Sequence, residues 1–199
     1  MPAKFEENRR GLLKYLWHTT ALLGHSVSSW YAQWREANLG KRHGEGMWSV
    51  LEDKLAAYTA AGARVSVVSE PFTVAILTPI TQRAHELLSA TDTAFVDSTA
   101  SCDCDADNHV ITFVMVTSLY GAVPAGVVIA AGQTQQDYTA GFTELKHIMD
   151  SEGFGGQGHP NVFITDKSAA ERAALLAVWP DAVQKLCHFH VMPTVWRWL

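Results

Sequence analysis

Two short apolar runs each end in an aspartate, and this repeat constrains the fold more than any other feature of the chain. Thr93, Ala94, Phe95 and Val96 lead into Asp97, and Val162, Phe163, Ile164 and Thr165 lead into Asp166. Runs of this length and apolar character read as buried strands. Where such strands belong to one open α/β sheet, their ends line its site-bearing edge, so the two carboxylates are brought together. Each aspartate taken alone has a plainer reading as a turn former or helix cap. For Asp166 that reading is strong, because Ser168 as N-cap with Glu171 three residues later matches a capping box. Capping by Ser168 would in turn leave Asp166 for a ligand role.

The pattern around these runs divides the chain into a helical segment, residues 1–62, and an α/β domain, residues 63–199. In the first, Leu12, Leu13, Leu16 and Trp17 fall on one helical face, and Val27, Trp30, Tyr31 and Trp34 form a second stripe. Core packing is the expectation for these tryptophans and for Trp48. Residues 40–46 read as a connector, and Gly62 is placed to end a helix over 47–61. Strands are then expected over 65–69, 72–77, 94–96, 110–119, 125–131, 161–165 and 182–189, and helices over 81–89, 138–150, 168–178 and from Pro193. The run from Gly153 to Pro160, rich in glycine, reads as a flexible loop. From residue 94 on, the order is three strands, helix, strand, helix, strand, helix. That is the order of a ribonuclease-H-like α/β domain, a mixed sheet flanked by helices.

Charge and composition exclude other classes. Hydrophobic residues make up 48% of the chain and charged residues 18%, which suits a packed domain rather than a disordered one. No apolar run is long enough for a membrane span, and the start lacks a secretory h-region, so a nuclear or cytoplasmic protein is expected, neither secreted nor membrane-bound. Three cysteines give no even disulfide framework. The net charge of -5 is uneven: residues 1–60 carry eight Lys/Arg against six Asp/Glu, and residues 61–199 seven against fourteen. An acidic domain suits cations, and any DNA contact must come from local basic spots, a bound metal or other segments.

Further motifs carry a family resemblance. Phe95-Val96-Asp97-Ser98-Thr99, the Asp166-Lys167-Ser168-Ala169-Ala170-Glu171-Arg172 stretch, Trp179-Pro180 and the Cys-x-x-His of Cys187 and His190 resemble the MULE transposase domain of the DDE superfamily. The resemblance spans residues 70–199. It implies that Asp97 and Asp166 are the first two catalytic carboxylates and hold Mg²⁺ or Mn²⁺, in an enzyme that cuts DNA at transposon ends and joins it to target DNA. DNA is then the partner, with a homo-oligomer left open. The family's third carboxylate, a glutamate well beyond the Cys-x-x-His, is missing, so an incomplete domain at the C-terminal side is expected. Glu171 lies too close to Asp166 to take that place.

Cysteine and histidine also offer a zinc reading, with Cys102, Cys104, Cys187 and His190 as four ligands of suitable type. On a regular strand Cys187 and His190 would face opposite sides, so they share a site only if the strand ends there. The alternative function is a non-catalytic, domesticated remnant that binds DNA or protein.

Overall fold

The computed structural model describes residues 24–40, 45–100 and 109–196. The chain divides into two compact units, Met1–Lys54 and Leu55–Leu199.

In the first unit, helix α1 spans Gly24–Leu39 and is followed by α2, Glu45–Ala60, which runs on into the second. Gly40 closes α1 at φ +82°, a left-handed conformation that glycine adopts without strain, and a β-carbon there would lie 2.6 Å from Val50 Cγ2. The predicted face from Leu12 to Trp17, and the side chain of Trp48, lie outside the described residues. Trp30, Tyr31 and Trp34 are 66%, 57% and 41% exposed, which corrects the expectation of core packing. Helical spacing puts such side chains on one face but cannot supply the surface that would bury them. The rings of Tyr31 and Trp34 stack on each other, centroids 6.3 Å apart.

The second unit is a seven-stranded mixed sheet with helices, an α/β architecture. Its strands are β1 (Arg64–Val68), β2 (Thr73–Leu77), β3 (Thr93–Ala100), β4 (Val110–Ser118), β5 (Gly121–Ala130), β6 (Val162–Thr165) and β7 (Val183–Leu186), in the order β1-β2-β5-β4-β3-β6-β7. The β3-β4-β5 meander and the β1-β2 hairpin pair antiparallel. From β3 outward, β6 and β7 pair parallel, each reached through a helical crossover. The helices are α3 (Pro79–Ala84), α4 (Gln135–Met149), α5 (Ala169–Val178) and α6 (His188–Trp196). The helix expected over 81–89 is shorter than its pattern: α3 ends at Ala84, and a 3-10 turn, Leu88–Thr91, follows. The strand expected over 182–189 stops at Leu186, and His188 already belongs to α6.

Helix α4 starts from a complete capping box between Thr134 and Asp137. It packs on β1, β2 and β5, and α5 packs on α4. Close approach requires Gly141, since a β-carbon there would fall 2.4 Å from Val128 Cγ1. Phe142, Phe154, Phe163 and Trp179 build an aromatic core between these layers, all 1% exposed or less.

The glycine-rich loop is pinned rather than loose, which corrects the sequence expectation. Phe154 enters the core at φ +50°, and its N–H donates to His85 Nδ1 at 3.1 Å. That bond fixes the proton on Nε2, which donates to the Ala125 carbonyl at 2.8 Å. The Gly155 N–H reaches the His85 carbonyl at 2.8 Å, and Trp179 Nε1 donates to the Gly158 carbonyl at 2.9 Å. Composition signalled flexibility, and two buried side chains override it.

Burial holds the His85 imidazole below its ordinary value of 6.5, against a smaller opposing effect from the Ala125 carbonyl. The unfolded chain therefore takes up the proton first as pH falls. Stability that is fully present above about 6.5 is lost as pH drops through the lower folded-state value. Denaturant midpoints measured between pH 8 and pH 5 should fall more steeply for the natural protein than for His85→Gln. Parallel profiles would rule out His85 as the source.

Candidate metal-binding site

Strand register brings the two aspartates together. On β3 and β6, Thr93 pairs with Val162, Ala94 with Phe163 and Phe95 with Ile164. Continued two residues, that parallel register sets Asp97 beside Asp166 on neighbouring strands, which run about 4.8 Å apart. Alternation decides the face. Ala94, Val96, Phe163 and Thr165 are buried on the helix-covered side, so Asp97, within β3, points to the other, while Asp166 lies just past the end of β6 and is half-buried. Asp97 is 57% exposed and lies opposite Phe113 of β4.

Asp166 turns one oxygen back on its own chain, accepting from the Ser168 N–H at 2.6 Å. The expected capping box is therefore half made. Ser168 Oγ accepts from the Glu171 N–H at 3.3 Å, but the Glu171 side chain does not return to Ser168. It turns inward instead, to 1% exposure. Ser98 Oγ donates to its Oε2 at 2.8 Å, and Thr165 Oγ1 donates to its Oε1. Since Ser98 spends its proton on Glu171, Thr112 Oγ1, 2.9 Å away, donates to Ser98. Tyr138 is 4% exposed, and burial pushes its phenol above the usual range.

Burial likewise raises the Glu171 carboxyl above its ordinary range, with the two hydroxyls opposing and the charges of Asp166 and Asp97 adding to the rise. Sequence reasoning missed this polar layer. Its only signal was that a hydroxyl residue adjoins each aspartate, Ser98 after Asp97 and Thr165 before Asp166, each on the buried face and in need of a partner.

The Cys-x-x-His pair adopts a geometry that strand alternation does not allow. Cys187 accepts at its carbonyl from the His190 and Val191 N–H groups at 3.1 and 3.2 Å, so the chain turns helical there and the two residues stand one turn apart. His188 and His190 consequently do not share a strand face. His190 Nε2 approaches Asp97 Oδ1 at 3.9 Å. Cys102 and Cys104, the other half of the zinc reading, lie outside the described residues. Among the described residues no group of three or more His, Cys, Asp or Glu is placed to hold a metal ion. The shallow surface at the β1–β2 turn, lined by Ser69, Glu70, Pro71, Phe72 and Gln136, contains neither aspartate.

In donor type the pair suits a hard divalent cation: two carboxylates carried by neighbouring strand segments, both with oxygen donors. Fold and site define an α/β domain with a carboxylate pair at its central parallel strands. The chain belongs to the MULE transposase domain family, whose model matches residues 95–194. No curated protein matches the chain. Membership connects it to DNA transposition, and to DNA as the general partner. Among the described residues no helix is long and apolar enough to cross a membrane.

Proposed function

We propose that residues 63–199 form a ribonuclease-H-like DDE core that cuts DNA and joins the freed 3′ end to target DNA, with Asp97 and Asp166 holding Mg²⁺ or Mn²⁺. Residues 1–62 form a helical segment ahead of it. The single observation that carries the reading is the β3–β6 register, which makes neighbours of two aspartates 69 residues apart in sequence. An antiparallel meander extended by parallel strands on one side supports the ribonuclease-H-like reading of the fold.

A bound divalent ion would stabilise the negative charge that builds on phosphodiester oxygens during cleavage. The chain's own contribution is to present two carboxylates on neighbouring strand segments. His190 Nε2 lies 3.9 Å from Asp97 Oδ1, beyond direct hydrogen-bond distance. Glu171 does not serve as the third carboxylate, because it faces the opposite side of the sheet and both its oxygens are engaged. The acidic charge of residues 61–199 repels phosphate, so cations at the aspartates also favour DNA approach.

Nicking of supercoiled plasmid in Mn²⁺ tests the reading. The natural chain is expected to relax the plasmid, and Asp166→Asn to abolish relaxation. Equal nicking by both would overturn it. The absence of a third metal-ligating side chain among the described residues favours a second reading, a non-catalytic domain that binds DNA. That reading expects DNA retention without nicking by either protein.

A further inference from the structure

Glu171 is a buried carboxyl in a helix, and neither helix formation nor capping requires it to be acidic. Its oxygens are divided between two strands: Oε2 accepts from Ser98 on β3, and Oε1 from Thr165 on β6. Ser98 immediately follows Asp97, and Thr165 immediately precedes Asp166. Both hydroxyls turn to the buried Glu171, while Asp97 alternates to the other face of β3 and Asp166 directly follows β6, so one carboxyl group joins the two strands that carry the aspartates. Ser98 is itself steadied by Thr112. An apolar residue here would leave the Thr165 hydroxyl without this partner and Ser98 with Thr112 alone.

We propose that Glu171 is a positioning residue, whose carboxyl ties β3 to β6 beside Asp97 and Asp166 and so sets the spacing of the two carboxylates. The functional half of this inference rests on the divalent-ion reading above. A metal site tolerates little error in ligand spacing, and loss of a group that orients the ligands typically weakens metal affinity by about 10–100-fold.

The test uses the full chain and two measurements: Mn²⁺ affinity, and hydrogen exchange of the β3–β6 ladder amides without metal. Glu171→Leu is expected to weaken Mn²⁺ binding about 10-fold and to speed exchange in that ladder. Glu171→Gln, which keeps one carbonyl acceptor, should recover part of both. Leu175→Ala, a buried change one turn along α5, should lower global stability without shifting Mn²⁺ affinity. Should Glu171→Leu not fold, Ser98→Ala and Thr165→Val each remove one arm of the tie and are expected to give smaller losses of the same kind. Mn²⁺ affinity within twofold of the natural chain in the folded variants, or unchanged ladder exchange, overturns the proposal. If the natural chain binds no Mn²⁺, the divalent-ion reading fails by itself, and exchange alone then decides whether Glu171 ties the strands.

Discussion

Trp179→Ala is expected to cost about 3–5 kcal/mol of folding stability, the range found for emptying a large aromatic site in a core. Trp179 is 1% exposed, and its ring stands 5.2 Å from Phe163, 5.8 Å from Phe142 and 6.2 Å from Phe154, centroid to centroid. Three rings held by different elements cannot all move in to fill the space left behind. The indole N–H also holds the Gly158 carbonyl, so the variant loosens the loop as well as the core. Typical domain stability is only about 5–15 kcal/mol, so a loss of this size puts the fold near its limit. Trp179→Phe, which keeps a ring but not the donor, should lose less. Urea denaturation followed by circular dichroism gives both values, and a loss under about 1 kcal/mol for the alanine variant would mean that the aromatic cluster is not central.

The carboxylate pair predicts a change of sign. Without metal, like charges on adjacent strands repel, and the pair should cost the fold a few tenths of a kcal/mol, the low end for cross-strand pairs because Asp97 is largely exposed. Asp97→Asn should therefore leave the metal-free protein slightly more stable, whereas Asp166→Asn also weakens the hydrogen bond from the Ser168 N–H at the start of α5. In Mn²⁺ the order reverses. Binding to the native state at 100 times Kd adds about 2.7 kcal/mol to the natural chain, and the variants forfeit most of it. A double variant should lose little more metal affinity than either single one, since two ligands of one site are not additive. Thermal melts with and without Mn²⁺ measure all of this. Additive losses from the two substitutions would argue against a shared ion, and a Mn²⁺ response that survives both would remove the aspartates from the site.

Much of the second unit was legible in its residues. Alternation and apolar runs located the seven strands but not all their bounds: β3, expected over 94–96, runs on past Asp97 to Ala100, and β5, expected from 125, begins at Gly121. Ser168 was read as the N-cap of α5, which the structure bears out, because capping is a local interaction. The nearness of Asp97 to Asp166 was inferred from two matching strand ends, of which the structure keeps only the one before Asp166, since Asp97 stands inside β3. Three things were not legible. The exposure of Trp30 and Trp34 depends on which surfaces meet α1, and helical spacing says nothing about that. The strand after Ala182 looked longer than it is, since nothing in the residue types of His188 to His190 marks where the turn into α6 falls. Glu171 fitted a capping box by spacing, yet a better pair of donors was available across the sheet.

The sequence by itself determined the strands, the helices, their order and the two aspartates that close apolar runs, all properties of neighbours along the chain. Only the tertiary structure decided which strands lie side by side. That placement set Asp97 against Asp166, turned Glu171 away from its own helix cap toward Ser98 and Thr165, and pinned the glycine-rich loop through His85 and Trp179. The physical reason is the same in each case. A buried polar group must find a partner, and which partner is within reach is fixed by packing between residues far apart in sequence.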